Sequence, residues 1–244
     1  TIAGALNVSS SSENNVELSA DGSAVDSATG VGVAVGINIA KIKNDALIAS
    51  AVSAGSIHLS ALSDNPLTAK VGNAFTTTAA SGAGASNVGV AGSLALNLID
   101  TQSTAMIGAG VAVNITGAGD VSLKTEAETK STAEAKPTGG GATGESVGIG
   151  ASVALNIVAN RSVAELGDGA TLSGAHDVSL DASANHEVET TAEAGAEGGI
   201  SLTPVVALSL VNNTTTARLG SGAALAATGA VSVSAAQDAS TTTT

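Results

Sequence analysis

The sequence predicts an all-β protein, a right-handed parallel β-helix or flattened β-solenoid built from about four imperfect repeats. Three observations carry that prediction. The stretch Val147-Gly-Ile149-Gly-Ala151-Ser-Val153-Ala-Leu155-Asn156-Ile157, followed by Ala164-Glu-Leu166-Gly-Asp-Gly169 and by Asp177-Val178-Ser179-Leu180, recurs along the chain. Its long segment alternates with period two, the signature of a strand rather than a helix. The 244 residues include one Phe and no Trp or Tyr, so backbone ladders and many small contacts must replace an aromatic core.

The copies of the long strand are Val31–Ile39, Val88–Leu98, Val147–Ile157 and Ile200–Leu210. A polar residue falls late in each, at Asn38, Asn97, Asn156 and Ser209, with spacings of 59, 59 and 53 by subtraction of residue numbers. The second landmark is the apolar residue opening the "DVSL" strand, placed at Val8, Ile57, Val121, Val178 and Val231. On this phase one elongated domain spans 1–244, with units at roughly 8–56, 57–120, 121–177 and 178–230 and partial units at 1–7 and 231–244. Repeats of such length stack into one continuous core. If each unit makes one wide coil, Asn38, Asn97, Asn156 and Ser209 form a stacked column, a structural ladder; two coils per unit would separate them.

Within the long strand, Val147, Ile149, Ala151, Val153, Leu155 and Ile157 point one way, and Gly148, Gly150, Ser152, Ala154 and Asn156 the other. Gly and Ala weaken a lone strand, so a second layer or a neighbouring backbone approaches the small-residue face closely. Whether that face packs within the molecule or between molecules is left open. The short strand Ala164–Leu166 runs into the corner Gly167-Asp168-Gly169, where Gly and Asp supply positive-φ positions. In the following strand Val178, Leu180, Ala182 and Ala184 face in, and Asp177, Ser179, Asp181, Ser183, Asn185, Glu187 and Glu189 face solvent. Segments 76–86, 138–145 and 192–199, rich in Gly, Thr and Ala, read as loops on one edge of the stack. Pro204, at an inward strand position, predicts a bulge or weak point, since proline cannot donate to a ladder.

Composition narrows the function. Lys and Arg total 8 against 21 Asp and Glu, a net charge of −13, which disfavours nucleic acid or an anionic membrane as partner. No run of 18 apolar residues occurs, and a membrane barrel would need aromatic girdles. Residues 1–30 lack a signal-peptide pattern, so an exported parent would carry this chain as an internal piece. The absence of cysteine fits an exported bacterial protein that folds without disulfides.

Segment 147–182, "VGIGASVALNIVANRSVAELGDGATLSGAHDVSLDA", resembles the repeats of giant bacterial surface adhesins of the filamentous haemagglutinin-like and leukotoxin-like kind, exported by autotransporter or two-partner routes. The likeness extends over all four units. It implies an extracellular, cell-surface, non-catalytic stalk segment serving adhesion, aggregation or biofilm. Its partners would be other copies or adjoining repeats of the parent and a cell-surface receptor or glycan. The alternative is a self-assembling fibre subunit joined through open solenoid ends; a carbohydrate-processing enzyme ranks below both.

No catalytic or cofactor-binding constellation stands out. His58, His176 and His186 fall in different phases of the repeat, and Arg161 and Arg218 stand alone, leaving no cluster for an acidic substrate. Columns built from Asp177, Asp181, Glu187 and Glu189 over Asp120, Glu126 and Glu128 could gather calcium, which takes six to eight oxygen ligands. Lys124 and Lys130 interrupt them, and a plain solvated face is the simpler reading.

Overall fold

The computed structural model describes residues 1–63 and 72–244, without the side chains of Asp26 and Ser27. The chain winds as a β-solenoid in which every strand pair is parallel. Three walls enclose the interior.

The front wall consists of the second half of β2 (Asn14–Ile48), the second half of β5 (Asn73–Ile107), β8 (Val147–Leu166), and β12 (Ile200–Leu202) with β13 (Val205–Leu219). A four-stranded short wall holds β3 (Val52–Ala54), β6 (Ala112–Ile115), β9 (Thr171–Ala175) and β14 (Ala224–Ala227). The back wall stacks β1 (Ala5–Ser11), β4 (Ser56–Leu62), β7 (Val121–Thr143), β10 (Val178–Ala192) and β15 (Val231–Thr243), together with the first halves of β2 and β5. β11 (Ala196–Glu197) extends its far edge.

Each repeat makes one wide coil. Asn38 lies beside Asn97, Asn97 beside Asn156, and Asn156 beside Ser209 in the parallel register, so the pairing offset equals the repeat spacing. On the back wall the landmark slips at its first member. Leu6, not Val8, stands beside Ile57, and Val8 stands beside Leu59. A slip of two residues keeps the same face inward, so alternation alone could not expose it.

The interior tapers from the short wall to the far edge. Ile107, Ile115, Val121, Leu123, Leu166 and Leu180 anchor an aliphatic core beside the short wall. Further along come Phe75, Ile99, Val158 and Val188, then a cluster of alanines including Ala95, Ala133, Ala135 and Ala154, then Ala83, Ala91 and Ala142. At the thin edge the front and back walls approach so closely that a β-carbon at Gly32 or Gly150 would overlap the carbonyl of Gly82 or Gly195. Glycine is required there because nothing larger fits between two backbones.

That taper corrects two expectations. Segments 76–86 and 138–143 are strand, lying within β5 and β7, because their small residues serve close wall-to-wall packing rather than turning. The ladder is irregular in two places there: the β5–β7 pairing jumps from Ser81 beside Pro137 to Ala83 beside Ala142, with Gly139, Gly140 and Gly141 at positive φ, and the β2–β5 register shifts on either side of Ala85. Segment 192–199 leaves the strands at 193–195 and 198–199, as expected of a loop. Pro204 is exposed and falls on the outer face rather than the inner one; the register is unchanged across it, so no bulge forms, but the strand breaks at Thr203 and Pro204 between β12 and β13, which makes this the expected weak point. Its carbonyl accepts the Ser152 N–H at 3.1 Å, which keeps the ladder closed where proline itself cannot donate.

Corner chemistry also differs from expectation. Gly169 has positive φ whereas Asp168 does not. Asp168 Oδ1 instead accepts the Ser221 N–H of the next coil at 2.7 Å. Asp120 and Asp177 do the same for Asp177 N–H (3.1 Å) and Ala230 N–H (2.7 Å), so corner aspartates stitch successive coils together.

Candidate functional site

Alternation in the front wall places two chemically opposite surfaces back to back, and the structure fixes which one is inside. Gly148, Ser152, Ala154, Asn156, Val158 and Asn160 are buried against the back wall. Val147, Ile149, Val153, Leu155 and Ile157 lie on the outside, as do their partners in the other coils. The small-residue face is therefore packed within the molecule, and the Val/Ile/Leu face is offered to the surroundings.

The register arranges that outer face in columns. Taken at Thr29, Val31, Val33, Val35, Ile37 and Ile39 and followed through the four coils, six columns give 24 positions, and all but Thr29, Gly92, Ala151 and Pro204 are Val, Ile or Leu. None is charged. Val33 and Ile39 are 61% and 70% exposed, and even in the two middle coils, flanked on both sides, Leu98 and Ile157 are 42% and 36% exposed. Strand and rung spacings make this a patch of about 33 by 19 Å, roughly 600 Å². The largest apolar patch on an ordinary monomer reaches about that size and marks an interaction site.

One column is different. Its two middle coils carry Gly92 and Ala151 between Val33 and Pro204, which leaves a dip between the flanking ridges, and a β-carbon at Gly92 would meet nothing within 4 Å. Two columns away, Ile37, Leu96, Leu155 and Leu208 form a tall ridge. Beyond Ile39 the outer face becomes polar, with Lys41 paired to Asp100 at 3.3 Å and Arg218 to the buried Glu165 at 2.7 Å.

The back wall's outer face is acidic. Its described strands β7 and β10 carry Glu126, Glu128, Glu134, Asp181, Glu187 and Glu189 among hydroxyls and Lys124, Lys130 and Lys136. Lys124 and Lys130 interrupt the carboxylate columns there, as the reading of a plain solvated face expects. Asp181 stands beside Lys124, Glu187 beside Lys130 with a 3.0 Å ion pair, Ser183 beside Glu126 and Asn185 beside Glu128. The Glu126 carboxylate hydrogen-bonds the Lys124 ammonium and, with Asp181, holds its pKa above the ordinary lysine value. Among the described residues Asp177 does stack on Asp120, and His176 joins them at the surface. Both aspartates already accept backbone amides of the next coil, so this cluster reads as a corner brace.

Between the walls runs the polar ladder. Asn97 donates to Thr132 O at 2.8 Å and accepts from Thr77 Oγ1 at 2.6 Å. Asn156 donates to Ser131 O and Glu189 O, both at 3.0 Å, and accepts from Ser131 Oγ at 2.7 Å. Ser209 Oγ sits 2.7 Å from both Thr190 Oγ1 and Thr243 Oγ1. Asn38 is buried at the same column, but its Nδ2 has no partner. The four residues thus share one column, and the side-chain bonds shown for Asn97, Asn156 and Ser209 cross to the opposite wall instead of running up the stack. Amides do bond up the stack at positions not singled out from sequence: Asn14 to Asn73 and Asn160 to Asn213, each at 2.8 Å.

The histidines are dispersed as expected, His58 exposed on the outer back wall and His176 at a corner. His186 was missed. It is 1% exposed, stands beside Thr129 in the register, and neither ring nitrogen has a hydrogen-bond partner. Its parity, shared with Val178, Leu180 and Val188, was the available signal.

Burial lowers the His186 pKa from 6.5 to about 4. Between those values the unfolded chain binds a proton that the folded chain refuses, so stability is full above pH 6.5 and falls as pH drops toward 4. At about 1.4 kcal/mol per pH unit this removes about 3 kcal/mol. Urea unfolding at pH 7 and at pH 4 should show that loss in the wild type and its disappearance in His186→Leu.

Comparison with protein-family models, curated proteins and solved structures finds no match for this chain.

Proposed function

We propose that the chain is a non-catalytic structural and adhesive segment of a large exported bacterial surface protein, and that it works through its aliphatic front wall. The observation that carries this reading is the two-sidedness of the rod: one outer wall is aliphatic over four coils, and the opposite wall is acidic and hydroxylated. Parallel ladders and braced corners make a stiff body. The acidic wall keeps that body soluble. The aliphatic wall is the surface whose removal from water is favourable, at about 25 cal/mol per Å². The resemblance of segment 147–182 to adhesin repeats supports placement at the bacterial cell surface.

Antibodies raised against the purified chain should label unpermeabilised cells of the source bacterium and block their attachment. Labelling that requires permeabilisation would rule this function out.

A further inference from the structure

The front wall points to a specific occupant. We propose that a second copy of this chain packs on it, wall to wall, about a two-fold axis running along the column Val35, Leu94, Val153, Val206. This rests on reading the front wall as the working surface and adds what covers it.

Relief, area and chemistry favour a second copy. An axis lying in the interface along that column carries each column onto the one equally far on its other side. The dip at Gly92 and Ala151 then receives the partner's Leu96 and Leu155, while Val33 and Pro204 meet Ile37 and Leu208, coil against coil. Leu96 and Leu155 of one copy seat over Gly92 and Ala151 of the other, and the reverse holds by symmetry. A C2 contact of this kind is isologous and closes at two. The axis lays the five columns from Val31 to Ile39 on one another and sets Thr29, Val88, Val147 and Ile200 against Lys41, Asp100, Ala159 and Asn212. At about 26 by 19 Å, roughly 500 Å² of aliphatic wall is covered on each copy and about 1,000 Å² in total, the size at which a specific interface begins.

The chemistry of the wall argues against lipid as occupant. Interfacial Trp and Tyr are absent from the chain, and its charge of −13 opposes an anionic membrane. Sheet faces made of Val, Ile and Leu pack on each other about 10 Å apart, as in β-sandwiches.

Sedimentation equilibrium over a concentration series tests this with the intact chain. The mass should rise with concentration and saturate at two copies. Leu96→Lys and Leu155→Lys should each shift the protein to monomer without lowering its urea midpoint by more than a marginal amount. Gly92→Leu, which fills the dip but meets open space in the single molecule, should weaken association at least roughly tenfold. A monomer at every concentration, growth beyond two copies as open ends would give, or association indifferent to all three substitutions would overturn the proposal. Flotation of the wild type with phosphatidylcholine vesicles in place of dimerisation would overturn it too, naming lipid instead. A monomer whose antibodies still label intact cells would sink the dimer and leave the surface-adhesive reading standing.

Discussion

Ala154→Leu is expected to destabilise the protein by about 3 kcal/mol or more, whereas Leu155→Lys, the next residue along, should cost less than about 1 kcal/mol. Ala154 is fully buried in the alanine layer with Ala95, Ala133 and Ala135, where the front and back walls approach closely. Three added carbons there must either push the walls apart through several coils or force an eclipsed rotamer, and both routes are costly. Leu155 points outward into the aliphatic wall, so a lysine in its place loses neighbouring contacts and keeps its ammonium in water. Equilibrium urea unfolding of both variants below the association range gives the two values. The usual ordering, in which the large aliphatic site is the sensitive one and the alanine the tolerant one, would be inverted.

Asn156→Leu should be the second large effect, about 3–5 kcal/mol, although the side chains are nearly the same size. It removes two amide bonds, to Ser131 O and Glu189 O, and leaves the buried Ser131 hydroxyl without its acceptor. Each lost bond costs about 1 kcal/mol, and each stranded buried group about 1–3 more. Asn38→Leu at the same column should be neutral or stabilising. The Asn38 amide nitrogen has no partner to lose, so an apolar replacement removes an unsatisfied donor from the interior. Thermal and urea unfolding of the two variants side by side separates a ladder held by cross-wall bonds from one held by stacking alone. In the second case the two substitutions would cost about the same.

Much of this architecture was legible in the chain itself. The spacing of 59, 59 and 53 between Asn38, Asn97, Asn156 and Ser209 is the pairing offset of the front wall, and strand alternation holds throughout. Alternation, however, gives two faces without saying which is inside. The default that aliphatic residues face the core fails here because the opposing wall is also small-faced, with Ala127, Thr129, Ser131, Ala133 and Ala135 pointing in. Two small faces can close to a separation that no Val or Leu tolerates, and the aliphatic face is then left outside. Reading the inward faces of the two walls together would have shown the match.

The same blind spot hid His186, whose inward parity was plain, and turned the Gly-rich strand ends into expected loops. Glycine marks both a turn and a close approach, and composition does not tell them apart. The solvated back face, by contrast, was legible. The β7–β10 offset of 57 equals the spacing from Val121 to Val178, and it brings Lys124 and Lys130 beside Asp181 and Glu187 instead of acid beside acid.

The aliphatic face of the front wall is outside and the small-residue face inside. The chain has no cysteine, so single-cysteine variants read this directly. Native Leu155→Cys and Ala154→Cys proteins, held dilute enough to be monomeric, would be treated with a maleimide and the labelling rates compared with those in denaturant. Leu155→Cys should label at near its unfolded rate, and Ala154→Cys should be protected by orders of magnitude. Fast labelling at 154 with protection at 155 would contradict this placement of the two faces.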